Sequence, residues 1–152
     1  MRLATLDLSD DTTAQAVLDL QRESYAVEAA LIGDDRIPQL TETLDELRGA
    51  GLAWLGAQDD DGLAGAVSWV ELLDGTVDIH RLVVAPRAFR RRVATTLLDG
   101  LDAMAPGRRV TVSTGRANAP AVALYLARGF VIARDREVVP RLWVVDLERP
   151  AE

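Results

Sequence analysis

Cysteine and lysine are both absent from the 152-residue chain, and all 17 of its basic residues are arginine. Without cysteine there is no disulfide framework, no thiolate metal site and no cysteine nucleophile, so we expect a reducing compartment. Long apolar runs are missing as well. The longest, Ala121–Ala127, is far short of the roughly 20 residues that span a bilayer, and no charged-then-apolar leader opens the sequence. The sequence therefore predicts a soluble cytoplasmic protein with no membrane partner.

Charge is distributed unevenly along the chain. The net charge is −7, yet residues 79–98 hold five arginines and no acidic residue, whereas residues 1–78 hold 17 acidic residues and four arginines. An acidic surface repels the phosphate backbone of nucleic acid, so we expect no nucleic-acid partner. A local cationic segment suits one small polyphosphate better. The length and the 49% hydrophobic content are those of one globular domain, residues 1–152.

Hydrophobic periodicity predicts an α/β (α+β) protein with the order β-α-α-β-β-β-α-β-α-β-β. The predicted elements are a strand over Arg2–Leu8, helices over Thr13–Leu31 and from Pro38 to Gly49, strands over Leu52–Ala57, Leu63–Leu73 and Thr76–Ala85, a helix over Arg92–Met104, a strand over Arg109–Ser113, a helix over Pro120–Arg128, and strands over Phe130–Ala133 and Leu142–Leu147. Turns at Asp59–Gly62 and Asp74-Gly75 predict an antiparallel meander of the three middle strands.

The acidic turn Asp59-Asp60-Asp61 was weighed as a calcium loop. Counting twelve residues from Asp59 ends at Val70, which offers no carboxylate, so a solvated hairpin turn is the better interpretation. We assign no metal ligand.

Residues 79–98 read as a strand, an arginine-rich turn and a helix, which is a candidate anion site. The first turn of a helix presents unpaired N–H groups and the positive end of its dipole. The turn adds four guanidinium groups, those of Arg87, Arg90, Arg91 and Arg92. An ordinary solvated loop explains the same pattern equally well, and the spacing alone names no ligand.

Two motifs carry a family resemblance. Leu82-Val83-Val84-Ala85-Pro86 followed by Phe89-Arg90-Arg91-Arg92-Val93-Ala94 is similar to a pyrophosphate loop written R/Q-x-x-G-x-G/A, with Phe89 and Arg92 departing from the pattern. Asn118 to Phe130 contains an asparagine, a tyrosine and a Gly-Phe pair in matching order. Together they resemble the GNAT superfamily of acyl-coenzyme A dependent N-acyltransferases, from about Leu52 onward. The two acidic helices before Leu52 fit that family's variable acceptor-binding region.

The resemblance implies a mixed, mostly antiparallel sheet that splays between the strand ending near Val84 and the strand Arg109–Ser113, with the pantetheine of acetyl-coenzyme A (acetyl-CoA) in the opening. An N–H near Val84 would polarise the thioester carbonyl, and the amides of Arg90–Ala94 would hold the pyrophosphate. The residues to which it assigns cofactor contacts are Leu82, Val83, Val84, Phe89, Arg90, Arg91, Arg92, Val93, Ala94, Asn118 and Tyr125.

The resemblance also implies that Tyr125 protonates the departing thiolate, because a phenol with a pKa near 10 matches a thiolate in basicity. Simple aromatic packing is the other explanation for this residue. Asn118 fits the cap of the helix that begins beside it, a role that does not exclude a cofactor contact.

The group that takes the proton from the acceptor stays open between two residues. His80, the only histidine, lies on a strand beside the proposed thioester site, and an imidazole suits a base at neutral pH. Glu28, three residues after Tyr25 on a helix, is the other candidate, as base or as anchor for a cationic acceptor. Tyr25, Glu28 and His80 are therefore the candidate substrate contacts, although a structural histidine and a surface pair remain the alternatives.

These observations predict an N-acetyltransferase that transfers an acetyl group directly from acetyl-CoA to a primary amine of a small molecule or a peptide. The acidic first half favours a cationic acceptor. The alternative is a coenzyme A binding or sensing module without catalysis, which Arg92 at the glycine position supports. A nucleotide- or phosphosugar-binding domain fits less well, since GxGxxG and GK[ST] are both absent. A homodimer through the last strands is plausible.

Overall fold

Seven strands form one sheet in the order β1-β2-β3-β4-β5-β7-β6, in a computed structural model that describes residues 1–152. The elements are β1 (Arg2–Thr5), α1 (Asp11–Ile32), a 3-10 turn (Pro38–Leu40), α2 (Leu44–Gly49), β2 (Ala53–Asp59), β3 (Gly62–Glu71), β4 (Val77–Val84), a second 3-10 turn (Pro86–Ala88), α3 (Val93–Met104), β5 (Val110–Gly115), α4 (Ala119–Ala127), β6 (Val131–Val139) and β7 (Leu142–Arg149).

Every neighbouring pair of strands is antiparallel except β4 and β5, which run parallel. The predicted mixed, mostly antiparallel sheet flanked by helices is therefore confirmed. The meander β2-β3-β4 and its turn at Asp59–Gly62 are confirmed as well. No helix of the fold is both long enough and apolar enough to cross a membrane.

Three predicted element bounds are off by more than two residues, each for a local reason. The first strand ends at Thr5 rather than Leu8, because Asp7 accepts hydrogen bonds from Ser9 and turns the chain toward α1. The predicted helix from Pro38 is interrupted, because Thr43 and Glu46 form a capping box that starts α2 anew. The strand predicted to end at Ala133 continues to Val139, because β7 pairs with it along its whole length.

Helices α1 and α3 cover opposite faces of the sheet. Gly65 of β3 points at α3, where a Cβ atom would lie 2.6 Å from Val93 and 3.1 Å from Leu97. Arg81 of β4 points the other way and meets Gln21 of α1. Both helices bury apolar side chains on the sheet in one core cluster of 25 residues, among them Val17 of α1.

A buried charged cluster fixes α1 against β4. The Arg81 side chain is 8% exposed and donates to Gln21 Oε1 at 2.7 Å and to both carboxylate oxygens of Glu42 at 2.5 and 2.9 Å. Burial alone would raise the pKa of Glu42, but hydrogen bonds from Arg81 and Gln21 outweigh it and lower that pKa. The cluster thereby joins β4, α1 and the segment that follows the first 3-10 turn.

Candidate active site

The sheet opens between β4 and β5. Only Val77–Ile79 pair with Val110–Val112, after which β4 runs on to Val84 and β5 to Gly115 without contact between their backbones. His80 is an extra residue in β4, since Trp69 pairs with Ile79 and Ser68 with Arg81. We call the opening between His80–Val84 and Ser113–Gly115 the notch. The splay expected beside Val84 is confirmed.

One edge of the notch offers unpaired main-chain groups. Ala85 N–H donates to Ala64 O at 2.8 Å, so by alternation Leu82 and Val84 turn their N–H and C=O groups away from β3 and into the notch. The Val84 amide donates to Ser24 Oγ of α1 at 3.2 Å. Val83 is 1% exposed and packs into the core. Leu82 and Val84 thus present the polar edge, and Val83 supports it from behind.

The loop before α3 carries a run of main-chain amides that have no acceptor within the chain. Its backbone has a positive φ at Arg90 (65°) and at Arg92 (59°), on either side of Arg91. None of the six consecutive amides from Arg90 to Thr95 has an acceptor within the chain. Concave runs of main-chain N–H groups at a helix N-terminus bind phosphates. The Arg92 side chain is exposed and leaves these amides open.

The four arginines of this loop divide into two pairs. Arg87 and Arg91 donate to Asp59 Oδ2 at 2.8 and 3.0 Å, whereas Arg90 and Arg92 form no ion pair. Hydrogen bonding from Arg87 lowers the pKa of Asp59 to about 2. The turn interpreted as merely solvated therefore anchors the loop. No sequence pattern indicates this contact, which joins residues 28 and 32 positions apart.

The apolar residues next to these arginines differ in how far they are exposed to solvent. Phe89 is 44% exposed, Val93 is 2% exposed and packs under the loop, and Ala94 is half-buried. No cluster of three histidine or carboxylate side chains has the geometry of a metal site.

Two tyrosines and a carboxylate meet beside the notch. Burial raises the pKa of both Tyr25 and Tyr125, and the charge of Glu28 raises both further. Neither phenol forms a hydrogen bond within the chain, and Tyr125 is 3% exposed. Tyr125 packs edge-on against Phe130 at 5.3 Å.

Asn118 connects this cluster to α4. Its Oδ1 accepts from Ala121 N–H at 3.2 Å, which is the predicted helix cap, and its Nδ2 donates to Glu28 Oε1 at 3.0 Å. The second contact fixes the Glu28 carboxylate next to the notch. It could not be predicted, because 90 residues separate the two side chains.

His80 lies apart from that cluster, at the start of the notch. Its side chain is 42% exposed, and Nε2 lies 3.2 Å from Asp78 Oδ2. Asp78 in turn accepts from Thr111 Oγ1 at 2.6 Å. The structure thus brings Tyr25, Glu28, Asn118 and Tyr125 together and supplies His80 with a carboxylate partner that sequence reasoning missed. An alternating Asp-x-His pair on one strand was the available signal.

Comparison with known proteins assigns the chain to a protein family. The sequence profile described as the Acetyltransferase (GNAT) family matches residues 14–130. The chain belongs to this family. It is also 31% identical over 126 residues to UPF0157 protein YqkA of Bacillus subtilis (strain 168), an alignment that covers 82% of this chain and 36% of YqkA. The chain therefore spans about a third of the length of the curated relative that it matches.

Solved structures agree on the GNAT fold. The ribosomal-protein-S18-alanine N-acetyltransferase of Escherichia coli superimposes with a TM-score of 0.78 at 16% identity, covering 99% of this chain and 94% of its own. YncA of Salmonella typhimurium, solved with its cofactor acetyl-CoA, superimposes with a TM-score of 0.75 at 17% identity. The superposition covers 100% of this chain and 94% of YncA. At such identities the likeness establishes the fold alone.

The left-handed backbone at Arg92 generates a prediction about stability. A residue with a Cβ atom loses about 1–2 kcal/mol of stability in this conformation. Glycine avoids that cost, but part of the gain is offset because glycine loses more conformational entropy on folding. Arg92→Gly should therefore raise the melting temperature by about 2–4 °C. Arg92→Ala is the matched control, because it removes the same guanidinium but keeps a Cβ atom. Equal melting temperatures for the two variants would contradict strain at this position.

Proposed function

We propose that the protein is an N-acetyltransferase that transfers an acetyl group directly from acetyl-CoA to a primary amine of a small molecule or a peptide. The observation that carries the proposal is the run of six free amides, Arg90–Thr95, beside the open edge of β4. A diphosphate needs such a set of donors, and an extended chain of amides needs such an edge. Membership of the GNAT family supports the same reaction.

The residues fit acetyl-CoA as the acyl donor. The loop amides and the free guanidinium groups of Arg90 and Arg92 would hold its pyrophosphate, while Leu82 and Val84 would pair with its pantetheine. Bound there, acetyl-CoA supplies an acetyl thioester. Phe89, Arg91, Val93 and Ala94 complete the loop, with Arg91 held by Asp59.

The Val84 amide is the donor proposed to polarise the thioester carbonyl. A main-chain N–H aimed at the developing oxyanion stabilises the transition state without reorganisation. Ser24 Oγ accepts from this amide, so the hydroxyl competes for the same donor. Binding of the thioester would displace one neutral hydrogen bond, which is worth about 0.5–1.5 kcal/mol.

Tyr125 is the proposed acid. Burial and the nearby Glu28 carboxylate raise the pKa of its phenol, so the hydroxyl stays protonated at neutral pH. A protonated phenol can donate to a departing thiolate, but the raised pKa makes it a weaker acid than the free phenol whose pKa near 10 matches a thiolate. The proton then returns from solvent after the thiol has left.

For the base we propose His80, with Glu28 as the anchor of the acceptor ammonium. Asp78 orients His80, and Thr111 holds Asp78 in turn, so the imidazole is positioned to accept a proton and pass it to solvent. Glu28 is fixed by Asn118 and lies beside the phenol of Tyr125, where a cationic acceptor would meet a fixed charge.

The alternative of a coenzyme A binding module without catalysis receives no support. It rested on Arg92, and an exposed Arg92 side chain leaves the loop amides open. The cytoplasmic location, the absence of a nucleic-acid partner, the homodimer through the last strands and the single domain over residues 1–152 stay predictions.

The first test measures cofactor binding and turnover together. Acetyl-CoA should raise the melting temperature in proportion to the logarithm of its concentration, as any ligand selective for the native state does. With an amine panel and detection of released thiol, Tyr125→Phe should lower kcat by about 10²-fold and leave the melting shift intact. No shift at millimolar acetyl-CoA would refute the cofactor assignment, and unchanged kcat would refute the acid.

The second test separates the base from the anchor. His80→Gln should lower kcat/KM by about 10²–10⁴-fold and abolish the acid limb of its pH profile. Glu28→Gln should mainly raise KM for the amine. Glu23→Gln, an exposed change on the same helix, is the control. The opposite pattern, with the pH limb lost in Glu28→Gln, would exchange the two roles.

The competition between Ser24 and the thioester gives a third test. Ser24→Ala leaves the Val84 amide without a hydrogen-bond partner in the free protein. Binding of the thioester then no longer has to displace the Ser24 hydrogen bond, so its free energy becomes more favourable. We expect the Kd for acetyl-CoA to fall about 2- to 10-fold. Desulfo-coenzyme A, which has no thioester carbonyl, is the control ligand, and its affinity should not change. A weaker or unchanged affinity for acetyl-CoA would count against Val84 as the donor.

A further inference from the structure

A second cavity adjoins the notch at the end of β5. It has a volume of about 320 Å³, within the range of small-ligand sites. Its walls come from the end of α1, the β5–α4 connection and the β6–β7 turn, and its lining includes Asp34, Arg36, Gly115, Arg116, Arg141 and Trp143. We call it the arginine pocket.

Gly115 joins the arginine pocket to the notch. It ends β5 inside the notch, and it also lines the pocket. A Cβ atom at this position would lie 4.0 Å from Glu28 Oε1, so the proposed ammonium anchor stands against the pocket wall. The pocket therefore begins close to the proposed ammonium anchor.

The lining carries three arginines against one acidic residue. Asp34 is neutralised by a fork from Arg36, which donates to its two oxygens at 3.0 and 2.6 Å. Arg36 also donates to Pro140 O at 2.9 Å and so ties the β6–β7 turn to the end of α1. This pair closes the pocket, and two cations remain for a ligand.

Those two cations are Arg116 and Arg141. The Arg116 guanidinium stacks on Trp143 at 4.5 Å, which fixes its plane, and its closest carboxylate, Asp135, is 4.0 Å away. The Arg141 side chain forms no hydrogen bond or ion pair. Its backbone N–H donates to Glu137 Oε2 at 3.1 Å, which holds the turn residue in its left-handed conformation. A pre-oriented guanidinium beside a second free one recognises carboxylate and phosphate.

We propose that the acceptor is a small amine that carries an anionic group, a carboxylate or a phosphate, which binds Arg116 and Arg141 in the arginine pocket while Glu28 holds the ammonium. The inference rests on the proposed function and narrows its substrate class to zwitterionic amines. The ammonium and the anionic group of the acceptor would thus bind at two different places, which the net charge of the protein alone does not indicate.

The first experiment compares matched amines by thiol release. The charged probes, which carry an anionic group besides their ammonium, are 4-aminobutyrate, 6-aminohexanoate and O-phosphoethanolamine; their counterparts, which keep the ammonium but are neutral at the other end, are the two carboxamides and ethanolamine. At least one charged probe should exceed its counterpart in kcat/KM by tenfold or more. Arg116→Gln and Arg141→Gln should each reduce that preference about 10-fold, because each removes a charge-assisted contact. Arg2→Gln, an exposed arginine of β1 without a partner, should retain it.

The second experiment does not depend on turnover. In protein labelled with ¹⁵N-arginine, titration with 4-aminobutyrate or O-phosphoethanolamine should shift the Nε–H signals of Arg116 and Arg141, assigned from their loss in the two variants. The carboxamide and ethanolamine should not shift them. Which charged probe acts distinguishes carboxylate from phosphate.

The outcomes separate the two proposals. Signal shifts without thiol release from any amine would refute the acetyltransferase but keep the anion site. Thiol release that favours the counterparts, or a preference for charged probes that survives both variants, would overturn the inference. Absence of shifts with every charged probe would overturn it too.

Discussion

The site depends on the early separation of β4 from β5. Three residue pairs hold the parallel strands together, and the extra residue at His80 turns β4 away from its neighbour. An unpaired strand edge inside a sheet is costly unless something satisfies its polar groups. Ser24 does so at Val84, and the buried Arg81–Glu42 pair holds α1 where it can. Loss of one partner from such a pair leaves an uncompensated buried charge. A change that breaks the Arg81–Glu42 pair would therefore also disturb the position of α1 beside the notch.

In the loop before α3, free main-chain N–H groups outnumber free guanidinium groups. Half of its guanidinium groups are engaged by Asp59, so the cationic appearance of the sequence overstates the free charge. The positive φ at Arg92 explains why the family pattern has glycine there: the conformation is required, and the side chain is tolerated because it points to solvent. A sequence motif can therefore depart from its pattern while the backbone keeps the geometry.

The order of the elements along the chain could be predicted from apolar periodicity, and the splayed sheet from the resemblance that two motifs carry. Local signals were also the source of error: the residues from Pro38 to Gly49 have a helical pattern, yet the capping box at Thr43 divides them. The partners Asp59 and Ser24 belong to the site through contacts with residues distant in the sequence, which leave no periodic trace, whereas Asp78 stands two residues before His80 on the same strand. Likewise, the arginine pocket combines three connections of the chain that no single motif contains.

Acid and base are separated by environment rather than by residue type alone. The phenol of Tyr125 is 3% exposed beside a carboxylate, and both conditions keep its proton in place. His80 is 42% exposed, and its Nε2 lies 3.2 Å from Asp78 Oδ2. The two groups proposed for proton transfer thus lie in different surroundings. In the proposed function, the Glu28 charge that raises the pKa of Tyr125 would also attract the ammonium of the acceptor.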